Sequence, residues 1–413
     1  MKRAVFTLAG DGRLFARSWR LFLASQCLSS VGTWTTRIAV AWLLFRLTQS
    51  VLWLGIAAFS GQVVVLLLSP ITAVLLDRCC RWRVLLLTQS LFCAQALVLF
   101  LLASGDALGA EGIVCLGMAR GAIAAFDLPA RQAFLSDLAG GDVEIKKALA
   151  LDGLQVNVAR VAGPLLAGFL IVSFGEGSCF LFDGVSYLIA LAGLGFMYAK
   201  RTRVEGGVAR DRSSLRHEVD ECWTWLRQHP QLHNDIILLA TTSVLCLPFT
   251  VLLPQYVHEV LNEGAPALGT LVSFSGIGAG AATLLLGATD RLRVSDALIR
   301  SSAAAAGICL AGLSAVQGAA LASIAVAAVS FFIMLQISAT AVSILGNAPS
   351  GMRGRLAALY GACFWGMAPV GSLLASALAY AIGPCAAFTF LGFGCALIAT
   401  TVDRCRSLQN PLP

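Results

Sequence analysis

The stretch "VLWLGIAAFSGQVVVLLLSPITAVLLDRCCRWR", Val51 to Arg83, holds no charged residue as far as Leu76 and then meets Asp77, Arg78, Arg81 and Arg83. About 20 apolar residues in a helix cross the ~30 Å hydrocarbon layer of a bilayer, so Val51–Leu76 reads as one membrane span. Basic residues just beyond a span mark its cytoplasmic end. The question is whether the rest of the chain repeats this pattern.

It does. The 413 residues are 58% hydrophobic and only 12% charged, with a mean hydropathy of +0.82; soluble domains carry about 25% charge. Apolar blocks fall near 20–45, 52–76, 84–104, 112–130, 152–173, 178–198, 236–257, 268–289, 297–317, 319–345, 356–382 and 385–402. The expected fold class is therefore all-α and polytopic, with 12 transmembrane helices in two pseudo-symmetric six-helix halves. With the first residues inside, 25 of the 29 Lys and Arg fall on one side of the membrane and only Arg46 lies in a loop on the other. This bias places both termini in the cytoplasm. The net charge of +7 thus serves topology, and no nucleic-acid partner is expected.

The 13 cysteines show no metal-type spacing with histidine, and Cys79-Cys80 sits in a basic loop where reduced thiols are expected. The first 20 residues spread their basic residues without a small-residue cleavage site, which reads as a retained cytoplasmic tail. Residues 199–235 divide the chain into 1–198, a six-helix bundle with its tail, and 236–413, a second six-helix bundle. Within that linker Leu215, Val219, Cys222, Trp223 and Leu226 recur at helical spacing. They predict an amphipathic helix on the inner membrane surface, or a spacer with no further role.

The halves echo one another. "LLDRCCRWR" after the second span matches "GATDRLR" after the eighth, and "AGPLLAG" in the fifth matches "MAPVGSLLAS" in the eleventh. Such a duplication places a substrate site near the bilayer midplane between the halves.

With these pieces the chain resembles the major facilitator superfamily, in the branch of the enterobactin exporter and related multidrug and macrolide efflux proteins. The stretches that carry the resemblance are "RIAVAWLLFRLTQSVLWLG" from Arg37, "LLLSPITAVLLDRCCRWRVLLLTQ" from Leu66, "AAFDLPARQAFLSDL" from Ala124 and "NVARVAGPLLAG" from Asn157. The second half adds "PFTVLLPQYVHEVL" from Pro248, "SFSGIGAGAA" from Ser273 and "MRGRLAALYGACFWGMAPVGSLLA" from Met352. The resemblance implies a gate at Asp77, Arg78 and Arg81, with Asp77 facing the N-terminus of the eleventh span, where a carboxylate gains roughly 0.3–1 kcal/mol. The arginines alone also read as topology signals. Ala73 and Cys80 stand where that gate motif has glycine. Gly163-Pro164 and Gly168 resemble the family's fifth-span exporter motif, where the span can bend at the interface between halves.

Five ionisable residues lie within or at the ends of first-half spans: Arg37, Arg120, Asp127, Arg160 and Asp183. In the second half only Arg300, in the first turn of the 297–317 block, falls inside a span as drawn above. A charge at that depth needs a partner and marks a functional site by default. By helical rise, Arg37 lies ~24 Å from the cytoplasmic end of its span and Asp183 ~7 Å below the outer end of its own. Their heights match in a ~30 Å layer, so they are able to pair. Arg120 sits near the midplane and, by resemblance, faces the central cavity; a buried structural pair is the alternative. Asp127 is ~10 Å further along the same face, too far to neutralise it. Before Leu128-Pro129, Asp127 reads as an N-cap or as a proton carrier.

The expected function is export of a small molecule, a siderophore, drug or similar amphipathic compound, by alternating access and proton antiport. In that scheme Asp183 or Asp127 changes protonation while Arg37, Arg120 or Arg160 competes for the carboxylate. Desolvation disfavours a charged carboxylate and a nearby arginine favours it, so moving the arginine loads or releases the proton. Trp34, Asn157, Gln336 and Thr340 are candidate cavity residues, polar groups among apolar walls. The alternatives are a lysophospholipid flippase, or a membrane scaffold or sensor. No nucleotide loop, metal constellation or Ser/His/Asp frame points to an enzyme. No cofactor is expected beyond the proton gradient; the expected partners are a small-molecule substrate and the lipid bilayer, around a monomer in the bacterial inner membrane.

Overall fold

The computed structural model describes residues 12–76, 79–138, 142–198, 224–226, 228–288, 294–349 and 352–409. Thirteen helices follow one another in the described residues: α1 (Gly12–Thr48), α2 (Val51–Leu76), α3 (Arg81–Ser104), α4 (Ala110–Leu138), α5 (Asp142–Phe174), α6 (Glu176–Tyr198), α7 (Pro230–Leu245), α8 (Phe249–Glu259), α9 (Ala265–Ala288), α10 (Asp296–Leu313), α11 (Ala319–Asn347), α12 (Arg353–Ile382) and α13 (Pro384–Gln409). Eleven segments are long and apolar enough to cross a membrane, α7 and α8 counting together as Pro230–Glu259. α1, rich in Ser, Thr and Gln, is not among them.

The seventh predicted span, 236–257, is two helices rather than one. Pro248 has no N–H to continue the ladder and its ring crowds the carbonyl four residues back. The chain responds with a turn: the amides of Cys246 and Leu247 both donate to Thr242 O, and Phe249 N to Cys246 O, before α8 resumes. Pro164 in α5 and Pro129 in α4 leave their helices continuous. The predicted surface helix at 215–226 falls almost wholly outside the described residues. At its end Leu226 is buried with Leu232, Ile236, Ile344 and Leu356.

The turns repeat between the two halves. α5 and α6 are joined by Gly175 alone at φ +81°, and α12 and α13 by Gly383 alone at φ +82°. Only glycine takes up this left-handed conformation freely. Gln49 after α1 (φ +48°) and Asn262 after α8 (φ +53°) form a second matching pair.

Packing separates the two ends of the molecule. Among the described residues α1–α6 pack mainly on one another, as do α7–α13; the principal bridges are α5 against α9 and α2 against α12. At the end of the short loops one apolar core joins both sets, from Leu44, Phe45 and Phe180 to Phe249, Tyr256 and Phe388. There the Phe45 ring meets His258 edge-on, centroids 5.6 Å apart. At the end of the basic loops the cores are separate: Phe22, Leu85, Phe134 and Leu194 on one side, Leu232, Ile236 and Leu356 on the other.

The α5–α9 bridge depends on missing side chains. A Cβ on Gly168 would meet Pro266 Cα at 2.9 Å, one on Gly276 would meet Arg160 O at 2.9 Å, and one on Gly269 would run into Pro164 O. Between them Ser273 Oγ donates to Val161 O at 2.7 Å. On the α2–α12 side the contacts run from Gly55 against Ser376 to Leu66 against Gly366. Beyond these points Leu67, Ile71, Leu75, Leu151, Leu154, Leu284 and Trp365 are exposed. The two sets of helices thus share a core at the short-loop end, while their cores are separate towards the basic loops.

Candidate functional site

A charged network lies inside the first six helices. α4 brings Arg120 towards α6, where Nη1 stands 3.5 Å from Asp183 Oδ2. The same guanidinium donates to Gln95 Oε1 on α3 (3.0 Å) and to Tyr187 Oη on α6 (3.2 Å). Tyr187 Oη shares a hydrogen bond with Thr33 Oγ1 of α1 at 2.9 Å. Phe92 of α3 stacks on Tyr187 at 5.3 Å and also lies 5.2 Å from the Arg120 guanidinium. Four helices therefore converge on one arginine. Asp183 is fully buried and its Oδ1 has no hydrogen-bond partner among the described residues, while the Arg120 side chain keeps 22% of its surface exposed.

Arg37 is not the partner of Asp183. Matching height on two helices does not bring faces together, and Asp183 is taken by Arg120. Instead the Arg37 guanidinium lies 4.6 Å from the centroid of the Trp34 ring, one turn back on α1. Arg160 of α5 lies over the same ring at 5.6 Å. Gly163 makes this meeting possible: a Cβ there would stand 2.5 Å from Trp34 Cβ. Thr35 Oγ1 further ties α1 to α5 by donating to Gly163 O at 3.1 Å. Pro164 follows at the α9 contact described above.

Asp127 is not an N-cap. α4 runs through it to Leu138, and its carboxylate is 8% exposed. Oδ1 accepts from Thr88 Oγ1 (2.7 Å) and Gln89 Nε2 (3.0 Å), both on α3. A helix-internal carboxylate turned sideways to a neighbouring helix does not start a turn.

Two cavity candidates are sealed. Gln336 and Thr340 of α11 are both 0% exposed, and Gln336 Nε2 donates to Thr340 Oγ1 at 3.1 Å. In this conformation they face packed protein. Asn157 is half-buried and donates back to Gly153 O on its own helix. Asp77 and Arg78 lie outside the described residues. Arg81 donates to Ala133 O of α4 at 3.5 Å. Cys80, in place of the motif glycine, sits at φ −69°, an ordinary backbone conformation for any residue.

Sequence reasoning missed Asp235. The reading placed it in the linker, but α7 starts at Pro230, so Asp235 lies in the second turn, 2% exposed and accepting from Ser343 Oγ at 2.8 Å. Pro at the first helical position was the available signal. Gln95, Tyr187 and Thr33 were also missed; neutral polar residues on apolar helices give no pattern to search for. A separate cavity of about 240 Å³ near Glu263, Pro266, Thr270 and Ser323 carries none of these charges.

Apolar helices of bilayer length with an arginine network inside them describe a multi-pass membrane protein. The chain belongs to a family of the major facilitator superfamily described as "Transmembrane secretion effector", matched over residues 13–409. It is similar to the staphyloferrin A transporter of Staphylococcus aureus, 24% identical over 90% of this chain and 92% of that one. It is equally similar to the multidrug efflux pump Tap of Mycolicibacterium fortuitum, 24% identical over 94% and 96%. Among solved structures, the nucleoside transporter NupG superposes with a TM-score of 0.68 at 9% identity, covering 95% of this chain and 98% of that one. A bacterial homologue of the lysosomal transporter Spinster, in an inward-facing conformation, gives 0.69 at 12% identity, over 95% of both chains. At such identities these structures speak for the fold. The chain is a membrane transporter of this superfamily and not an enzyme.

Proposed function

We propose that the protein is a secondary-active exporter of a small molecule, a siderophore, drug or similar amphipathic compound, driven by proton antiport in the bacterial inner membrane. Adding α1 to the eleven apolar segments makes twelve spans, in halves 1–198 and 236–413 joined by the linker at 199–235. Both termini are cytoplasmic, and the protein works as a monomer. The observation that carries the reading is the cleft: the halves share a core at the short-loop end and part at the basic-loop end. By the distribution of basic residues that open end is cytoplasmic, so this is the state that loads cargo from inside.

Asp183 and Arg120 supply the coupling. At 3.5 Å, opposite charges attract by on the order of 5 kcal/mol at an effective dielectric of about 20. A proton moving down 100 mV yields about 2.3 kcal/mol, less than outright separation would require. Gln95 and Tyr187 close the gap by retaining the guanidinium when a proton neutralises Asp183. Proton arrival then shifts Arg120 without stranding it. Asp127, held by two donors from α3, is the second candidate carrier, and Asp77, Arg78 and Arg81 form the cytoplasmic gate.

Uptake into inverted membrane vesicles tests this reading, scanning siderophores and drugs with and without a proton gradient. Gradient-dependent accumulation is expected. Accumulation indifferent to the gradient removes the antiport mechanism.

A further inference from the structure

Arg37 and Arg160 take no part in the network around Asp183. No hydrogen bond or ion pair joins either guanidinium to a carboxylate among the described residues. Each instead lies against Trp34, at 4.6 and 5.6 Å from its centroid. Distances to a shared centroid hold the two guanidinium carbons within about 10 Å of each other. A ring face attracts a cation but carries no net charge, so both positive charges remain uncompensated. Arg37 is nonetheless exposed, which leaves its charge open to a ligand.

Their height is equally specific. Arg160 lies at the α5–α9 contact, beside Gly276, and Trp34 lies against Gly163 one turn further on. The pair therefore borders the contact between the two sets of helices. Asp183, the acid of the neighbouring network, is fully buried and already bound to Arg120.

We infer that Arg37, Trp34 and Arg160 form the cargo site, and that it takes a small molecule carrying at least two carboxylates within about 10 Å of each other. This rests on the exporter reading and narrows its substrate class to anions. Each planar guanidinium presents paired N–H donors that match a carboxylate two at a time, and Trp34 keeps both forks oriented by stacking. A lipophilic cation meets repulsion from two arginines, whereas a neutral ester loses the charge-assisted bonds.

Binding to the purified full-length protein in nanodiscs tests this without transport. Citrate and trimesate serve as probes, with trimethyl trimesate and tetraphenylphosphonium as controls. Both tricarboxylates are expected to bind, the controls not. R37Q and R160Q should each weaken binding about ten-fold, the loss of one charge-assisted contact. R37K should recover part of the loss seen in R37Q. Failure of the tricarboxylates to bind, or binding unchanged in R37Q and R160Q, overturns the site. If the exporter reading fails instead, anion binding persists while vesicle uptake shows no gradient dependence.

Discussion

Arg120 of α4 binds Asp183 of α6 across 3.5 Å, and the carboxylate it binds is fully buried. The pair ties together helices whose contact is otherwise slight; Gln95 draws in α3, and Tyr187, one turn on from Asp183, adds a second contact on the same face of α6. One arginine thus fixes the interior of the first half.

Removing that arginine should hurt more than removing both charges. Arg120→Gln strands the Asp183 carboxylate in the protein interior, which costs about 3–5 kcal/mol. Adding Asp183→Asn removes the stranded charge and should restore much of the loss. Thermal unfolding in detergent measures both; a double variant no more stable than Arg120→Gln would show that the pair is not the source.

Asp127 answers to a milder rule. Asp127→Ala leaves the Gln89 amide as a buried donor without that acceptor, a loss of about 1–3 kcal/mol, while the Thr88 hydroxyl keeps Leu85 O as an acceptor at 3.1 Å. Asp127→Asn keeps an oxygen in place and should be close to neutral for folding. If Asn fails as badly as Ala in the same unfolding assay, the negative charge itself is required there.

At the α5–α9 bridge a single methyl group is the probe. Gly276→Ala puts a carbon 2.9 Å from Arg160 O, a backbone atom that cannot swing aside. The two helices should separate and loosen the closed end. In a cysteine-free background, Cys substituted at Phe45 should then label several-fold faster with a membrane-impermeant thiol reagent; an unchanged rate would mean the closure does not depend on this contact.

In the second half, Ser343→Ala removes the hydroxyl bonded to Asp235 Oδ2 at 2.8 Å. The buried carboxylate loses a partner, at about 1–3 kcal/mol. Ser343→Thr keeps the hydroxyl and should rescue stability, as unfolding midpoints would report.

The membrane class and nearly all helices were legible because hydropathy acts over 20 residues at a time, as in Val51–Leu76. A single proline broke that reading at Pro248, where local backbone sterics override the average. Depth along a helix was legible as well, and it put Arg37 and Asp183 at comparable heights. Depth says nothing of the angle around a helix, which is why the partner of Asp183 turned out to be Arg120. Gln336 and Thr340 show the same limit: polarity in a span identifies a residue that must avoid lipid, not whether it faces a cavity or a neighbouring helix. Trp34, Arg37 and Arg160 were each visible singly, but only Gly163 packed against α1 brings them together.

The account turns on Asp183 as the group through which protons drive transport. Proteoliposomes holding wild type or Asp183→Asn, loaded with a substrate found in the vesicle scan, compare gradient-driven accumulation with passive exchange. Asp183→Asn should still exchange substrate but no longer accumulate it against a gradient. Accumulation by Asp183→Asn at the wild-type level would contradict the account.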